Sequence, residues 1–253
     1  MKTAIITVAG ISSRFNTGVS ENKKELKAIY TEEGNPKNTL LYHLLQKCDF
    51  ADKIVIVGGY KFENLKKYCM GLEKIFLDRI DLIYNEHYED LASGYSLYLG
   101  LQKALCNDVK EILFVEGDLD VDNDSFNRVI DSQKSVLTYN NEPIYANKAV
   151  VLYRDDKSHY RYAFNSNHGM LLIGSPFSCI LNSGQVWKFT EIDALKKAST
   201  AFYNETKDET NLRIIQNYLD EGIEVELIPL KRWTNCNTKS DFRKIVSYWK
   251  ENR

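Results

Sequence analysis

Apolar runs alternate with helical patterns along the first half of the chain. The runs have the length and composition of buried strands, whereas the stretches between them repeat apolar residues at the spacing of amphipathic helices. The predicted strands are 3–10, 52–60, 80–85 and 109–118, and the predicted helices are 39–48, 62–72 and 93–105. Strands and helices that alternate in this way form right-handed crossovers, so the pattern predicts an α/β fold with a mostly parallel sheet flanked by helices.

The pattern becomes richer in strands after residue 122. The predicted strands of this part are 135–140, 148–154, 160–166 and 223–230, and the predicted helices are 186–204, 209–222 and 239–252. Gly222 has the position of a residue that ends a helix. Because no linker or repeat interrupts the chain, we predict one domain over residues 1–253, with a first half at 1–122 and a β-rich second half at 123–253.

Composition and charge limit the class of protein. Hydrophobic residues make up 43% of the chain, charged residues make up 27%, and the net charge is −2. These values predict a soluble globular protein without bulk attraction for nucleic acid, and no apolar run is long enough to predict membrane insertion. The five scattered cysteines form no C-x-x-C pair, which is typical of reduced thiols in a cytoplasmic protein.

The first predicted strand ends in a run of small residues followed by two basic positions. The run is Ala9, Gly10, Ile11, Ser12 and Ser13, and the basic residues are Arg14 and Lys24. Ligands of open α/β sheets bind beyond the carboxyl ends of strands, and small residues leave backbone N–H groups accessible to phosphate. The pattern therefore favours a phosphate-binding turn, although it is neither a P-loop nor G-x-G-x-x-G. A plain strand-to-helix turn with a solvated arginine is the alternative.

The fourth predicted strand ends in a cluster of acidic residues. They are Glu116, Asp118, Asp120, Asp122 and Asp124. Glu116 and Asp118 follow the strand directly and are candidates for a divalent cation site. We interpret Asp120 to Asp124 as a solvated turn that caps a helix starting near Ser125. The spacing does not match an EF-hand.

Three further groups of residues carry weaker signals. Gly94 and Ser96 begin a predicted helix and are candidates for contact with a nucleobase or ribose. Asn235 and Asn237 precede the last helix, where a helix cap is the favoured interpretation. The four histidines His43, His87, His159 and His168 are dispersed and indicate no zinc site.

The stretch AGISSRFNTGVSENKKELKAIY resembles the G-x-G-x-R and P-K motifs of sugar-phosphate-type nucleotidyltransferases. Arg14 and Lys24 match the arginine and lysine of that family, whereas Ser12 and Lys23 replace its second glycine and its proline. The segments VIVGGYKFENLKKY, LIYNEHYEDLASGYSLYLGL, LFVEGDLDVDN and NTKSDFRKI are similar, in the same order, to bacterial phosphocholine cytidylyltransferases and their phosphonate-using relatives. The resemblance covers nearly the whole chain.

This resemblance implies a Rossmann-like nucleotidyltransferase fold, with nucleotide bound by the first half and an acceptor by the second. It implies catalytic roles for Arg14, Lys24 and Asp118. Asp118 matches the metal-binding aspartate of the family, and magnesium is the implied cofactor. Asn237 stands where these cytidylyltransferases often have a second metal-binding aspartate, so the second ligand is open between Asn237, Asn235 and Asp241. Nucleotide contacts are implied for Ala9 to Arg14, Lys24, Gly94 and Ser96.

The expected substrates are a nucleoside triphosphate, with CTP favoured, and a phosphorylated or phosphonate small molecule. Tyrosines of the second half and Trp187 are candidates to enclose a cationic acceptor; they are Tyr139, Tyr145, Tyr153, Tyr160 and Tyr162. A metal-dependent glycosyltransferase that uses a nucleotide sugar and a nucleotide-binding relative without turnover are the alternatives. A homodimer is left open.

Overall fold

A computed structural model describes residues 1–146, 149–163, 166–167 and 170–252. Its helices are α1 (Leu40–Lys47), α2 (Phe62–Met70), α3 (Lys74–Leu77), α4 (Ser93–Leu105), α5 (Asn123–Asp131), α6 (Ile192–Glu205), α7 (Asn211–Asp220) and α8 (Lys239–Glu251). Its strands are β1 (Lys2–Val8), β2 (Lys53–Gly58), β3 (Ile80–Tyr84), β4 (Glu111–Glu116), β5 (Leu119–Val121), β6 (Ser135–Asn140), β7 (Val151–Asp155), β8 (Tyr160–Tyr162), β9 (Ser166–Asn167), β10 (Met170–Leu171), β11 (Phe177–Phe189), β12 (Val225–Pro229) and β13 (Trp233–Asn235). Short 3-10 helices lie at Glu21–Lys23, Lys27–Ile29 and Cys48–Phe50.

One mixed sheet joins both halves of the chain. Over the described residues it has nine strands, in the order β12-β6-β11-β4-β1-β2-β3, with β7 paired to β11 and β8 paired to β7. The β4-β1-β2-β3 portion is parallel, and β12 is parallel to β6. Strand β11 is antiparallel to β4 and β6. The carboxyl ends of β1 and β4 therefore lie side by side at one edge of the sheet.

Each face of the sheet packs against helices. Ala4, Ile6 and Val8 face the core formed with α1 and α2, whereas Ile5 faces the core formed with α4, α6 and α7. This alternation is expected for a strand buried on both faces. No helix of the described ranges is long and apolar enough to cross a membrane.

A smaller core lies beneath the loop that follows β1. Phe15 packs edge-on against Tyr30 and lies 6.5 Å from Phe242 of α8, measured between ring centroids. Helix α8 begins with a capping box in which Thr238 and Asp241 bond each other's backbone N–H groups. The loop of residues 9–14 is therefore supported by the last helix of the chain.

The α/β fold with its parallel portion is confirmed, and three local predictions are wrong. Residues 186–189 belong to β11 rather than to a helix, which starts only at Ile192. Thr238, not Asn235 or Asn237, caps α8. Asp120 is buried and ion-paired with Arg232 instead of solvated, although Asp122 does cap α5 by accepting from Ser125 N at 2.8 Å.

One helix end and the state of the cysteines were also predicted from the sequence. Gly222 has a left-handed φ of 77° just after α7, as predicted. All five cysteines are free; Cys48, Cys69 and Cys236 are buried, and Cys106 and Cys179 are exposed. Lys148, Phe164 and Asn165 of the predicted strands, and His168, lie outside the described residues.

Candidate active site

A cavity of about 300 Å³ opens at the carboxyl ends of β1 and β4. Parallel sheets usually bind ligands at this edge. The wall is formed by the ends of the two strands, the turn at 26–28 and the start of α4. Its residues are Thr7, Val8, Ala9, Gly10, Ser12, Leu26, Lys27, Ala28, Asn85, Tyr88, Leu91, Ala92, Ser93, Ser96, Glu116, Gly117 and Asp118.

The loop after β1 is small and open on its ligand side. A Cβ atom on Gly10 would meet no atom of the described chain within 4 Å, so glycine here leaves free space rather than relieving a clash. Ser12 has a left-handed φ of 54°, and its hydroxyl accepts a hydrogen bond of 3.4 Å from Lys27 N. This contact ties the turn to the 3-10 helix that carries Lys27.

Asn16 joins the two loops on either side of the cavity. The side chain is buried; its amide donates to Ser12 O at 3.1 Å and Glu25 O at 2.8 Å, and its oxygen accepts from Glu25 N at 2.9 Å. Three hydrogen bonds from one buried side chain fix the distance between the residue 12 turn and the segment before Lys27. Sequence reasoning missed this residue.

Lys27 and Asp118 form an ion pair in the cavity wall. The Lys27 Nζ lies 2.8 Å from the Asp118 Oδ2, and the two side chains are 17% and 23% exposed. The other carboxylate oxygen, Oδ1, is buried and has no hydrogen-bond partner among the described residues. A cation thus does face Asp118, but it comes from Lys27, which no sequence motif indicated.

Lys24 and Arg14 lie outside the cavity wall. The ammonium of Lys24 is 2.5 Å from Glu21, and this hydrogen bond raises the pKa of Lys24. Lys61 donates from its ammonium to the Lys24 carbonyl. Arg14 is exposed, as are Ile11 and Ser13. The expected approach of Arg14 and Lys24 to Asp118 is therefore not seen in this conformation, in which Lys24 pairs with Glu21 and Arg14 is exposed.

Glu116 lies deeper in the same cavity. Its two oxygens accept from Asn211 Nδ2 at 2.6 Å and from Gln185 Nε2 at 3.2 Å. Burial, together with the negative charge of Asp118, raises the pKa of Glu116 to about 7. Gln185 and Asn211 come from the second half of the chain, so this carboxylate connects the two halves.

The segment before α8 runs beside Asp118. Cys236 N donates to Asp118 O at 2.8 Å, and Asn235 pairs with Leu119 in the β5–β13 ribbon. The side-chain oxygens of Asn235 and Asn237 are buried without a hydrogen-bond partner in the described part of the chain. Asp241 is instead committed to the cap of α8. Two neutral amide oxygens therefore remain beside one carboxylate.

The start of α4 forms another side of the cavity. Ser96 lines it and accepts from Asn85 Nδ2 at 2.9 Å. Gly94 does not line it: a Cβ atom there would lie 2.5 Å from Glu209 O and from the Phe202 ring. Glycine at 94 is explained by the close packing of α4 against the segments around those two residues.

The aromatic residues proposed for the acceptor do not line this cavity. Trp187 and Tyr162 are fully buried, and Trp187 Nε1 donates to the Tyr162 hydroxyl at 2.7 Å. Trp187 lies in the core because β11 runs through the middle of the sheet, and Tyr162 of β8 packs in the same core cluster. Tyr139 and Tyr153 are half-buried in β6 and β7.

A larger groove of about 1,090 Å³ lies elsewhere, beside α1, α5 and the end of α8. Both acidic and basic side chains line it. Asp120 accepts from Trp249 Nε1 at 3.1 Å and pairs with Arg232, whose guanidinium lies 3.7 Å from the Tyr248 ring centroid. The smaller cavity is the better candidate because it lies at the strand ends.

Comparison with known proteins places the chain in a family. The model of the family described as "Domain of unknown function (DUF6564)" matches residues 23–249. The chain belongs to the DUF6564 family. A search of curated proteins found no match.

Solved structures similar to this DUF6564 chain are nucleotidyltransferases. The inositol-1-phosphate CTP transferase from T. maritima has a TM-score of 0.66 at 16% identity, covering 98% of this chain and 94% of its own. The CTP:phosphocholine cytidylyltransferase from Streptococcus pneumoniae has a TM-score of 0.61 at 16% identity, covering 98% and 99%. UDP-glucose pyrophosphorylase complexed with UDP-glucose has a TM-score of 0.68 at 11% identity, covering 100% of both chains. The Rossmann-like nucleotidyltransferase fold is thereby confirmed.

Proposed function

We propose that this protein is a cytidylyltransferase that joins CMP from CTP to a phosphorylated or phosphonate small molecule and releases pyrophosphate. The observation that carries the proposal is the cavity in which the Gly10–Ser12 turn, Lys27 and Asp118 meet. A turn with accessible backbone N–H groups, a lysine and a carboxylate are the groups needed to hold a triphosphate and a cation. The fold shared with nucleotidyltransferases supports the same reaction class.

Two observations support CTP as the nucleotide. Two of the similar structures are described as enzymes that use CTP. In this chain the Ser96–Asn85 pair offers polar groups in the cavity wall at the start of α4, where we place the edge of the nucleobase. We place the acceptor on the side of Glu116, Gln185 and Asn211.

The proposed reaction is an in-line displacement at the α-phosphorus. A phosphate or phosphonate oxygen of the acceptor forms a bond to phosphorus, the bond to the bridging oxygen breaks, and pyrophosphate leaves with the electron pair. The acceptor oxygen is already ionised, so no general base is needed. Lys27 and the backbone of residues 10–12 would stabilise the charge that develops on the phosphates, and the cavity would align the reacting groups.

Magnesium fits the donor set beside this cavity. Asp118 Oδ1 and the oxygens of Asn235 and Asn237 are hard ligands, and all three are buried without a hydrogen-bond partner in the part of the chain that the structure describes. Asp118 would hold the ion, with Asn237 or Asn235 as a neutral second ligand. Bound magnesium supplies positive charge to the phosphates.

A pyrophosphate-release screen tests the proposal. It crosses four nucleoside triphosphates with phosphorylated and phosphonate alcohols, with and without magnesium, and CTP with one such acceptor is expected to release pyrophosphate. Consumption of a nucleotide sugar without pyrophosphate would indicate a glycosyltransferase. Tight nucleotide binding without turnover on any acceptor would indicate a non-catalytic relative. Such a relative would be consistent with the neutral Asn237 at the position of a charged metal ligand.

A further inference from the structure

The cation that faces Asp118 in the free protein is a side chain. Lys27 Nζ lies 2.8 Å from Asp118 Oδ2, and both residues line the cavity. The position of Lys27 is built into the fold: its backbone N–H bonds the hydroxyl of Ser12, and Asn16 fixes the segment that precedes it. The ammonium is therefore held beside the carboxylate that is the expected ligand of a metal ion.

The charge balance of the cavity depends on this contact. Among the residues that line it, the charged side chains are Lys27, Glu116 and Asp118. Asn237 adds no charge on the neighbouring segment. A divalent cation that approached Asp118 would meet the ammonium at close range, and like charges in a partly buried site repel strongly. A metal ion that binds Asp118 therefore competes with Lys27 for the charge of this carboxylate.

We propose that Lys27 is an internal counter-ion that occupies the cation position on Asp118 in the nucleotide-free protein and moves to the nucleotide phosphates when the nucleotide binds, which leaves Asp118 to a divalent cation. The move from a carboxylate to a phosphate keeps the ammonium paired with an anion in both states. The role of the phosphates rests on the proposed function, whereas the competition at Asp118 does not.

Two binding measurements without turnover test the proposal. The affinity for Mn²⁺, a paramagnetic probe, is measured by electron paramagnetic resonance on the whole protein. The affinity for CTP is measured by calorimetry in EDTA. In Lys27→Met, the Kd for Mn²⁺ is expected to fall about tenfold or more, because the competing charge is gone. The Kd for metal-free CTP is expected to rise by a similar factor.

The Lys27 variant is thus expected to bind Mn²⁺ more tightly and CTP more weakly. If Lys27 had only a structural role, its loss would weaken both affinities. Lys23→Met is the matched control, because Lys23 is an exposed lysine of the same loop, and its Mn²⁺ affinity is expected within about twofold of wild type. Lys27→Arg keeps the charge and is expected to stay near wild type. Thermal unfolding checks each variant, and Lys27→Gln replaces Lys27→Met if the latter does not fold.

An unchanged or weaker Mn²⁺ affinity in the Lys27 variant, or no Mn²⁺ binding to any form, would overturn the proposal. A tighter Mn²⁺ site in a protein that releases no pyrophosphate would support the counter-ion and contradict the proposed function. The two ideas therefore fail through different observations.

Discussion

The ion pair between Lys27 and Asp118 joins residues 91 positions apart. It links the amino-terminal loops to the end of β4. Lys27 lines the cavity, whereas Arg14, Lys23 and Lys24 do not. Lys24 is three positions earlier and is held by Glu21. If transfer occurs from the conformation described here, Lys27 carries more of the phosphate interaction than Lys24.

We therefore predict that Lys27→Met lowers the rate of pyrophosphate release by about 10²-fold or more, the typical loss for a missing electrostatic partner of a transition state. Lys24→Met is expected to lower it by less than about tenfold, because the Lys24 ammonium lies outside the cavity wall and pairs with Glu21. Steady-state kinetics on the active substrate pair measures both. A larger loss in Lys24→Met would show that the loop rearranges around the nucleotide and brings Lys24 inward.

Asn16 offers a second prediction at the scale of one residue. Asn16→Ala removes three hydrogen bonds and leaves Glu25 N without its partner, so the free energy of unfolding should fall by about 1–3 kcal/mol. Urea denaturation measures it. Asn22→Ala, an exposed asparagine of the same loop, should change stability by less than about 0.5 kcal/mol. Equal effects of the two variants would contradict the role assigned to Asn16.

Sequence motifs placed Gly10, Ser12 and Asp118 at the cavity because strand ends are readable from apolar runs. They could not place Lys27 or Asn16. The contacts of these two residues depend on how two irregular loops fold against each other, and no periodic pattern encodes that. The same limit explains Lys24, whose spacing from Arg14 matches the family motif although its ammonium lies outside the wall.

At the scale of elements, helix α8 and strand β13 bring the last part of the chain to the site. β13 pairs with β5 directly after Asp118, and the capping box starts α8 two residues beyond Cys236. Asp241 Oδ2 accepts from Thr238 N at 2.8 Å and from Asn237 N at 3.1 Å. This carboxylate orients the Asn237 backbone rather than offering itself to a cation.

Asp241→Ala is accordingly predicted to lower the free energy of unfolding by about 1–2 kcal/mol, the cost of a lost helix cap. The magnesium concentration for half-maximal activity should stay within about twofold of wild type, because Asp241 is not a ligand. Ser240→Ala, exposed in the same first turn, controls for the helix itself. A large rise in the magnesium requirement would identify Asp241 as the missing second ligand.

Many elements followed from apolar periodicity, whereas β5, β13 and the first part of β11 were not predicted. Residues 186–189 were assigned to a helix, and this error has a physical reason. They end a strand that is buried on both faces, where alternation disappears. A shift in register between Ser183 and Trp187, with Gln185 at a positive φ of 56°, interrupts the pairing just before them.

At the scale of the whole molecule, β11 holds the two halves together. It pairs with β4 of the first half and with β6 and β7 of the second. The α/β class and the position of the cavity could be predicted, since both follow from strand order and parallel pairing. The burial of Trp187 could not be predicted, because it depends on the central position of β11 in the sheet, which no local sequence pattern shows.

The core position of Trp187 on β11 can be tested by substitution. The residue is fully buried, stacks on Phe114 with ring centroids 5.0 Å apart, and donates to the Tyr162 hydroxyl. Trp187→Ala should lower the free energy of unfolding by about 3–5 kcal/mol, as expected for a large core side chain. Phe177→Ala, on the same strand but 49% exposed, should cost less than about 1 kcal/mol. Urea denaturation compares the two variants.

The milder Trp187→Phe variant separates a core role from an acceptor role. If Trp187 is a core residue that does not touch the acceptor, its substitution changes stability. The KM for the acceptor then stays near wild type, because no contact with the acceptor is lost. A residue of a cationic acceptor site would raise that KM because it contributes a cation–π contact. A rise of more than about fivefold in a folded Trp187→Phe protein would therefore assign Trp187 to the acceptor site.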